Sequence, residues 1–370
     1  YLRFAWLTVG YALPLETTHP LLPVLGVYGW GALAMALAGW IAGTLESVLA
    51  KGKPSRGQSV QLTVAALLVL LLILSPWVNG LRGSATEPAT KLRVAGVQME
   101  FPGVPEVLEN LRRLAAACPD AQLVLLSEYT FDGPFPDGIR VWCRRERRWL
   151  IAGGKEPLAD GRFHNTAYVV DTNGVVVFQQ VKAVPIQFFK DGEPAPKQEV
   201  WDSPWGKLGL CVCYDLNYAR VADRLIRQGA RALIVPTMDV ESWGLHEHKL
   251  YARMTLIRAA EYGLPIFRVA SSGFSQLVDK RGRVQASTTV PGPGEIISGE
   301  LRLASPASGG VPWDRFAGLV ALGATVAIAL GLLQRAWSSR RARRTTSVAP
   351  GARSPSVPSP PITHHFIAPC

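Results

Sequence analysis

A chain of 370 residues holds one large domain with room for membrane segments. Its formal charge of +11 invites a nucleic-acid partner, but no basic motif interleaved with aromatics is present, which argues against nucleic acid. Five irregularly spaced cysteines are too few for a disulfide scaffold.

Residues 1–80 read as part of a transmembrane region. The chain starts at Tyr1, already apolar and aromatic, as if cut within a membrane domain. Leu21 to Gly43 is apolar and long enough to span a bilayer, and Val60 to Val78 is a second candidate. Lys51, Lys53 and Arg56 lie between them. A third span covers residues 313–334, opened by Trp313 and followed by Trp337. Beyond it stand Arg335, Arg340, Arg341, Arg343 and Arg344. Short basic flanks mark the cytoplasmic side, so residues 80–312 are expected outside. The first span has no basic segment before it and is not read as a signal peptide. Residues 335–370 are basic and then rich in Ser, Pro and Ala, which predicts a disordered cytoplasmic tail.

Between the spans, residues 92–304 alternate strand and helix patterns. Strands are predicted at 91–97, 123–126, 149–153, 166–171, 175–182, 207–212, 232–236 and 266–270. Helices are predicted at 104–117, 219–228 and 246–262. Asn173-Gly174 is a hairpin signal.

Three strand ends carry reactive groups. Glu128 closes Leu-Val-Leu-Leu-Ser-Glu, and a carboxylate after a buried strand is costly unless paired or used. It suits a general base; a surface loop glutamate is the competing reading. Lys182 closes another apolar run and suits an oxyanion, or is an ordinary edge-strand lysine. Cys213 follows Leu208–Val212 just before a predicted helix start, where a thiol can act as nucleophile; a buried, inert cysteine competes with that role. Cys211 and Cys213 share a strand face at a spacing too wide for an undistorted disulfide. His246-Glu-His248 is a poor metal pair, because i and i+2 do not share a helix face, so no metal is expected. Nor is any cofactor expected. Trp243 is either a lid on the site or a packing aromatic.

In this order the three residues resemble the carbon–nitrogen hydrolase (nitrilase) superfamily. The likeness rests on Val-Gln98, Ser-Glu128-Tyr, His-Asn165-Thr-Ala-Tyr, Val-Lys182-Ala-Val-Pro, Gly-Leu-Cys-Val-Cys213-Tyr-Asp215 and Arg258-Ala-Ala-Glu261. It implies an α/β fold, an α-β-β-α sandwich of the nitrilase type, here flanked by transmembrane helices. It further implies that Glu128 is the base, Lys182 the oxyanion partner and Cys213 the covalent nucleophile. The spans, Trp6-Leu-Thr-Val-Gly-Tyr11, Gly26-Val-Tyr-Gly29 and Tyr251-Ala-Arg-Met254 are similar to the apolipoprotein N-acyltransferase family. That family implies a phospholipid acyl donor, a lipoprotein acceptor and a bacterial inner-membrane location with the catalytic domain on the periplasmic side. Where it has Val-Pro-Phe-Gly-Glu, this chain has Val184-Pro-Ile-Gln-Phe-Phe-Lys-Asp-Gly-Glu193. Glu193 is therefore the candidate second glutamate. The family's Cys-Tyr-Glu is Cys213-Tyr214-Asp215 here, and its Asn-Asp-Ala-Trp stretch runs from Met238 to Trp243. Tyr214, Asp215 and Trp243 are thus candidate supporting residues. An amidase using water and an inactive membrane scaffold are the other functions the sequence allows.

Overall fold

The computed structural model describes residues 9–12, 22–51, 57, 60, 63, 90–187, 189–195, 197–288, 292, 294–305, 310–316, 323, 326, 329–334 and 336–338. Two six-stranded sheets form the body of the fold. The first has the order β12-β1-β2-β3-β4-β5. Its strands are β1 (Lys91–Val97), β2 (Leu123–Leu125), β3 (Trp149–Pro157), β4 (Phe163–Val170), β5 (Val176–Val181) and β12 (Ile296–Arg302). The second has the order β11-β10-β9-β8-β7-β6. It contains β6 (Val200–Ser203), β7 (Gly206–Leu210), β8 (Ala232–Thr237), β9 (Ile266–Ala270), β10 (Gln276–Val278) and β11 (Val284–Ser287). In each sheet the three parallel strands are flanked by antiparallel ones: β1, β2 and β3 in the first, β7, β8 and β9 in the second.

Alternation explains the layering. Leu92 and Val94 join Leu208, Leu210, Leu233 and Val235 in one core, whereas Ala95 and Val97 point the other way. That second face meets α3 (Val104–Ala117) and α4 (Asp137–Glu146) through Val107, Leu111, Leu114, Ile139 and Trp142. On the second sheet, α5 (Ala219–Arg227) and α6 (Gly244–Tyr262) add Val221, Leu225, Met254 and Ile257 to the first core. The arrangement is a helix-sheet-sheet-helix sandwich, as expected. Within the sheet body, five of the described elements carry no pattern in the sequence: α4, β6, β10, β11 and β12. The short strands carry too few residues for a period. The α4 segment buries only Ile139, Trp142 and Cys143.

Ahead of the sheets lie one turn of helix, α1 (Val9–Ala12), and the long α2 (Leu22–Lys51). Among the described residues, α2 is the one helix long and apolar enough to cross a membrane, with a mean hydropathy of 1.6. It runs on to Lys51, past the expected end at Gly43, so Lys51 belongs to the helix rather than a loop. The predicted span at 60–78 lies outside the described residues apart from 60 and 63, and the tail at 335–370 lies outside apart from 336–338. Of the span at 313–334, Asp314–Phe316, 323, 326 and 329–334 are helical. Among the described residues, α2 is therefore the one candidate for a flanking transmembrane helix.

The start of α2 is joined to the sheet body. Gly26 has φ 67°, a conformation that favours glycine, and it breaks the helix there. The next two backbone N–H groups are freed for carboxylates: Val27 N donates to Glu261 Oε1 at 3.1 Å and Tyr28 N to Asp314 Oδ2 at 3.1 Å. Glu261 also accepts from Arg258, whose other nitrogens reach Leu216 O (3.0 Å) and Asn217 O (2.8 Å). Leu216 and Asn217 close the short 3₁₀ turn Cys213–Asn217.

Candidate active site

β2 delivers Glu128, the residue after β5 is Lys182, and Cys213 follows β7 by a short link. All three side chains are buried. Lys182 Nζ donates to Glu128 Oε1 at 2.7 Å and to Asp191 Oδ2 at 2.7 Å. Asn165 Nδ2 bridges the same two carboxylates, at 2.6 Å to Glu128 Oε1 and 2.9 Å to Asp191 Oδ1. Glu128 Oε2 takes a further bond from Met238 N at 2.8 Å. Burial pulls the Lys182 ammonium down, but Glu128 and Asp191 together hold it above the ordinary lysine value. It is a fixed cation at neutral pH.

Cys213 sits at φ 48°, a left-handed conformation rare for a residue with a side chain. This bend turns the thiol out of the line of β7 and into the group around Glu128. Its Sγ lies 3.4 Å from Met238 O and 3.9 Å from Tyr251 Oη. Burial, and then the charge of Glu128 and the hydrogen bond with it, push the thiol well above its ordinary value, while Lys182 pulls it down. The thiol is therefore protonated at rest, with a carboxylate beside it to receive the proton.

The supporting residues divide. Asp215 is buried at the turn and accepts from Val184 N (2.8 Å), Ala183 N (3.0 Å) and Val212 N (3.2 Å). It ties the Lys182 segment to the Cys213 turn. Burial pushes it up to about 7 against the pull of Lys182 and those N–H groups. Tyr214 is buried edge-on against Tyr218, ring centroids 5.2 Å apart. Trp243, half-buried, lines the cavity in front of Glu128. Glu193 does not join the site. Its carboxylate pairs with Arg162 at 3.1 Å and is 39% exposed.

Asp191 takes the place expected of Glu193, two residues earlier. Besides Lys182 and Asn165 it accepts from Tyr129 Oη (2.6 Å) and Ile186 N (2.6 Å). Gly192, at φ 83°, turns the chain so that Asp191 enters and Glu193 leaves. The Asp-Gly pair was the available signal. Asn165 was legible only as part of a motif.

His246 is exposed and His248 buried, as their spacing on α6 requires. His248 Nδ1 pairs with Asp239 Oδ1 at 2.6 Å, and Arg268 donates to Asp239 Oδ2 at 2.9 Å. Ligand-type atoms of Asp239, Glu247 and His248 lie within 4.8 Å of one another. The Arg268 guanidinium already supplies the positive charge there, so the cluster is an ion-pair network.

In front of Glu128 opens a cavity of about 530 Å³. Glu128, Tyr129 and Asp191 lie on its wall, and the exposed rings of Phe101 and Phe189 stand among its lining. An anionic acceptor, a buried cation and a thiol side by side can form and resolve a thioester.

Residues 95–307 match the carbon-nitrogen hydrolase family. An apolipoprotein N-acyltransferase of Geobacter metallireducens is 23% identical over 340 residues, covering 81% of this chain and 64% of that protein. A deaminated glutathione amidase of Dictyostelium discoideum is 31% identical over 164 residues, covering 38% of this chain and 56% of that protein. The chain thus spans less than two thirds of either relative. Among solved structures, a carbon-nitrogen hydrolase from Helicobacter pylori superposes with a TM-score of 0.51 at 19% identity, over 58% of this chain and 90% of that one.

Proposed function

The chain belongs to the carbon–nitrogen hydrolase family, and from that premise we propose that it is a membrane N-acyltransferase of the apolipoprotein type. Its donor is a phospholipid and its acceptor the N-terminal amine of an S-diacylglyceryl-cysteine lipoprotein. Cys213 Sγ attacks the ester carbonyl while Glu128 takes the thiol proton. Lys182 holds the oxyanion of the tetrahedral intermediate. Collapse breaks the ester C–O bond, and Glu128 returns the proton to the leaving alkoxide. The acceptor amine then adds to the thioester, Glu128 takes its proton, and the C–S bond breaks to restore the thiol. Asp191 keeps Lys182 charged and in place.

One observation carries this reading over an amidase. The helix α2 leaves Leu33, Met35, Ile41, Leu45 and Leu49 exposed, between 37% and 75%, which suits lipid rather than water. Its start is hydrogen-bonded to the same α6 that borders Cys213. The rim rings Phe101 and Phe189 suit acyl chains for the same reason. The acyltransferase likeness supports this reading because it extends over most of the chain. We read the membrane as the bacterial inner membrane and the catalytic domain as periplasmic.

The test is to supply labelled phospholipid and a diacylglyceryl lipopeptide to the detergent-solubilised protein. Acyl transfer to the peptide amine, absent in Cys213→Ala, is expected. Release of free fatty acid alone, or hydrolysis of small ω-amides, would favour the amidase. No turnover and no Cys213-dependent phenotype would favour a scaffold.

A further inference from the structure

We propose that Tyr251 is a further catalytic residue, whose hydroxyl donates to the Cys213 sulfur whenever that sulfur carries negative charge. The proposal rests on the reading of Cys213 as nucleophile. Tyr251 lies on α6, only 3% exposed, with its Oη 3.9 Å from Cys213 Sγ. Either atom can donate while the thiol holds its proton. Once that proton has passed to Glu128, only the phenol can.

The need for such a donor follows from the site. The sulfur is fully buried, faces the carbonyl oxygen of Met238 at 3.4 Å and neighbours the Glu128 carboxylate. These groups repel a thiolate. Lys182 is the opposing cation, and two carboxylates already hold it. A neutral hydroxyl can stabilise the thiolate without adding a charge that would make it a poor nucleophile.

Tyr251 is built for this task. The guanidinium of Arg268 lies over its ring, 5.0 Å from the centroid. A cation on the ring face withdraws electron density and makes the O–H a stronger donor. Arg268 is itself fully buried and pinned by Phe274 O at 2.7 Å and Asp239 Oδ2 at 2.9 Å. The Asp239–Arg268 network, which the acyl-transfer steps leave unused, thus acquires a role behind the nucleophile.

The demand is greatest when the thioester is resolved. The acceptor amine adds to the carbonyl carbon, and Glu128 takes the amine proton. As the intermediate collapses, the C–S bond breaks and its electron pair goes to sulfur. Tyr251 O–H hydrogen-bonds that pair until Glu128 returns the proton and the thiol is restored. No other reactant is required.

Alkylation of Cys213 by iodoacetamide tests the proposal without any lipid substrate, so its outcome is separate from the acyltransferase reading. The rate would be followed by intact mass across pH 6–10 in the full chain, with Cys213→Ala to subtract other thiols. Tyr251→Phe removes one oxygen. It is expected to slow alkylation at neutral pH by roughly ten-fold or more, the size of a hydrogen bond to a charged group, and to move the profile to higher pH. An unchanged rate and profile in folded Tyr251→Phe would overturn the proposal. Should that variant not fold, 3-fluorotyrosine at position 251 keeps the shape and strengthens the donor. Faster alkylation at neutral pH then supports the proposal, and an unchanged rate overturns it.

Discussion

Asp191→Ala and Glu193→Ala should behave as opposites, although the two residues are separated only by Gly192. Asp191 is the acceptor for Lys182 Nζ (2.7 Å), Asn165 Nδ2 (2.9 Å), Tyr129 Oη (2.6 Å) and Ile186 N (2.6 Å). Lys182 and Asn165 keep Glu128 when Asp191 is truncated, so the loss is partial for them. Tyr129 Oη and Ile186 N lose the carboxylate they donate to. Leaving those two donors without an acceptor costs about 1–3 kcal/mol each, which for a domain of this size lowers Tm by roughly 10 °C. With Asp191 gone Lys182 is also no longer centred, and acyl-enzyme formation should fall by about 100-fold. Glu193→Ala removes only an exposed pair with Arg162 and should leave Tm and acylation where they are. Thermal unfolding in detergent and the rate of acyl-enzyme formation by intact mass check both. If Glu193→Ala proved as damaging as Asp191→Ala, the assignment of the second carboxylate would be wrong.

Two further outcomes follow from the geometry. A methyl at Gly153 would sit 2.5 Å from Glu128 Cα and 2.8 Å from Tyr129 N, so Gly153→Ala must displace the Glu128 backbone. Acylation should drop by about 100-fold, whereas Gly103→Ala, whose nearest neighbour would be 3.7 Å away, should be silent in the same assay. Stability should decline as pH rises through neutrality. The hydrogen bond to Asp239 raises His248, so its contribution is complete below about pH 6.5 and lost as pH climbs through the raised value. Glu247, pushed up to about 7 by burial and then Asp239, adds to the decline from lower pH, because its unfolded carboxyl ionises first. On the acid side, burial opposes ionisation of Asp239, but His248 and Arg268 outweigh it and hold the carboxyl low; that contribution fades as pH falls through the lowered value. His248→Gln should flatten Tm against pH above 6.5; an unaltered slope would exclude His248 as its source.

The sequence carried the parts of this fold that repeat. Long apolar strands such as β1 and β8, and the amphipathic α3, were legible because each buries a regular stripe. The strands β10 and β11, three and four residues long, hold too little pattern, and their place is set by pairing, β10 with β9 and β11 with β10. In the site, Glu128, Lys182 and Cys213 were legible because each ends an apolar run. Asp191 was not, because it lies in an irregular polar segment whose inward turn depends on Gly192 and on partners far away in sequence. Tyr251 was visible as part of a motif, but its nearness to Cys213 depends on how α6 crosses the second sheet. The helix α2 was expected, and its seating on Glu261 through the break at Gly26 was not, since a 3.6-residue period carries no information about a freed N–H group.

Whether Cys213 takes an acyl group from phospholipid is decided by intact-mass spectrometry. The detergent-solubilised chain would be incubated with phospholipid beside Cys213→Ala, then treated with hydroxylamine. A mass gain of one acyl chain is expected, which hydroxylamine removes and the alanine variant never shows. A folded protein that stays unacylated, or an adduct that persists in Cys213→Ala, would contradict it.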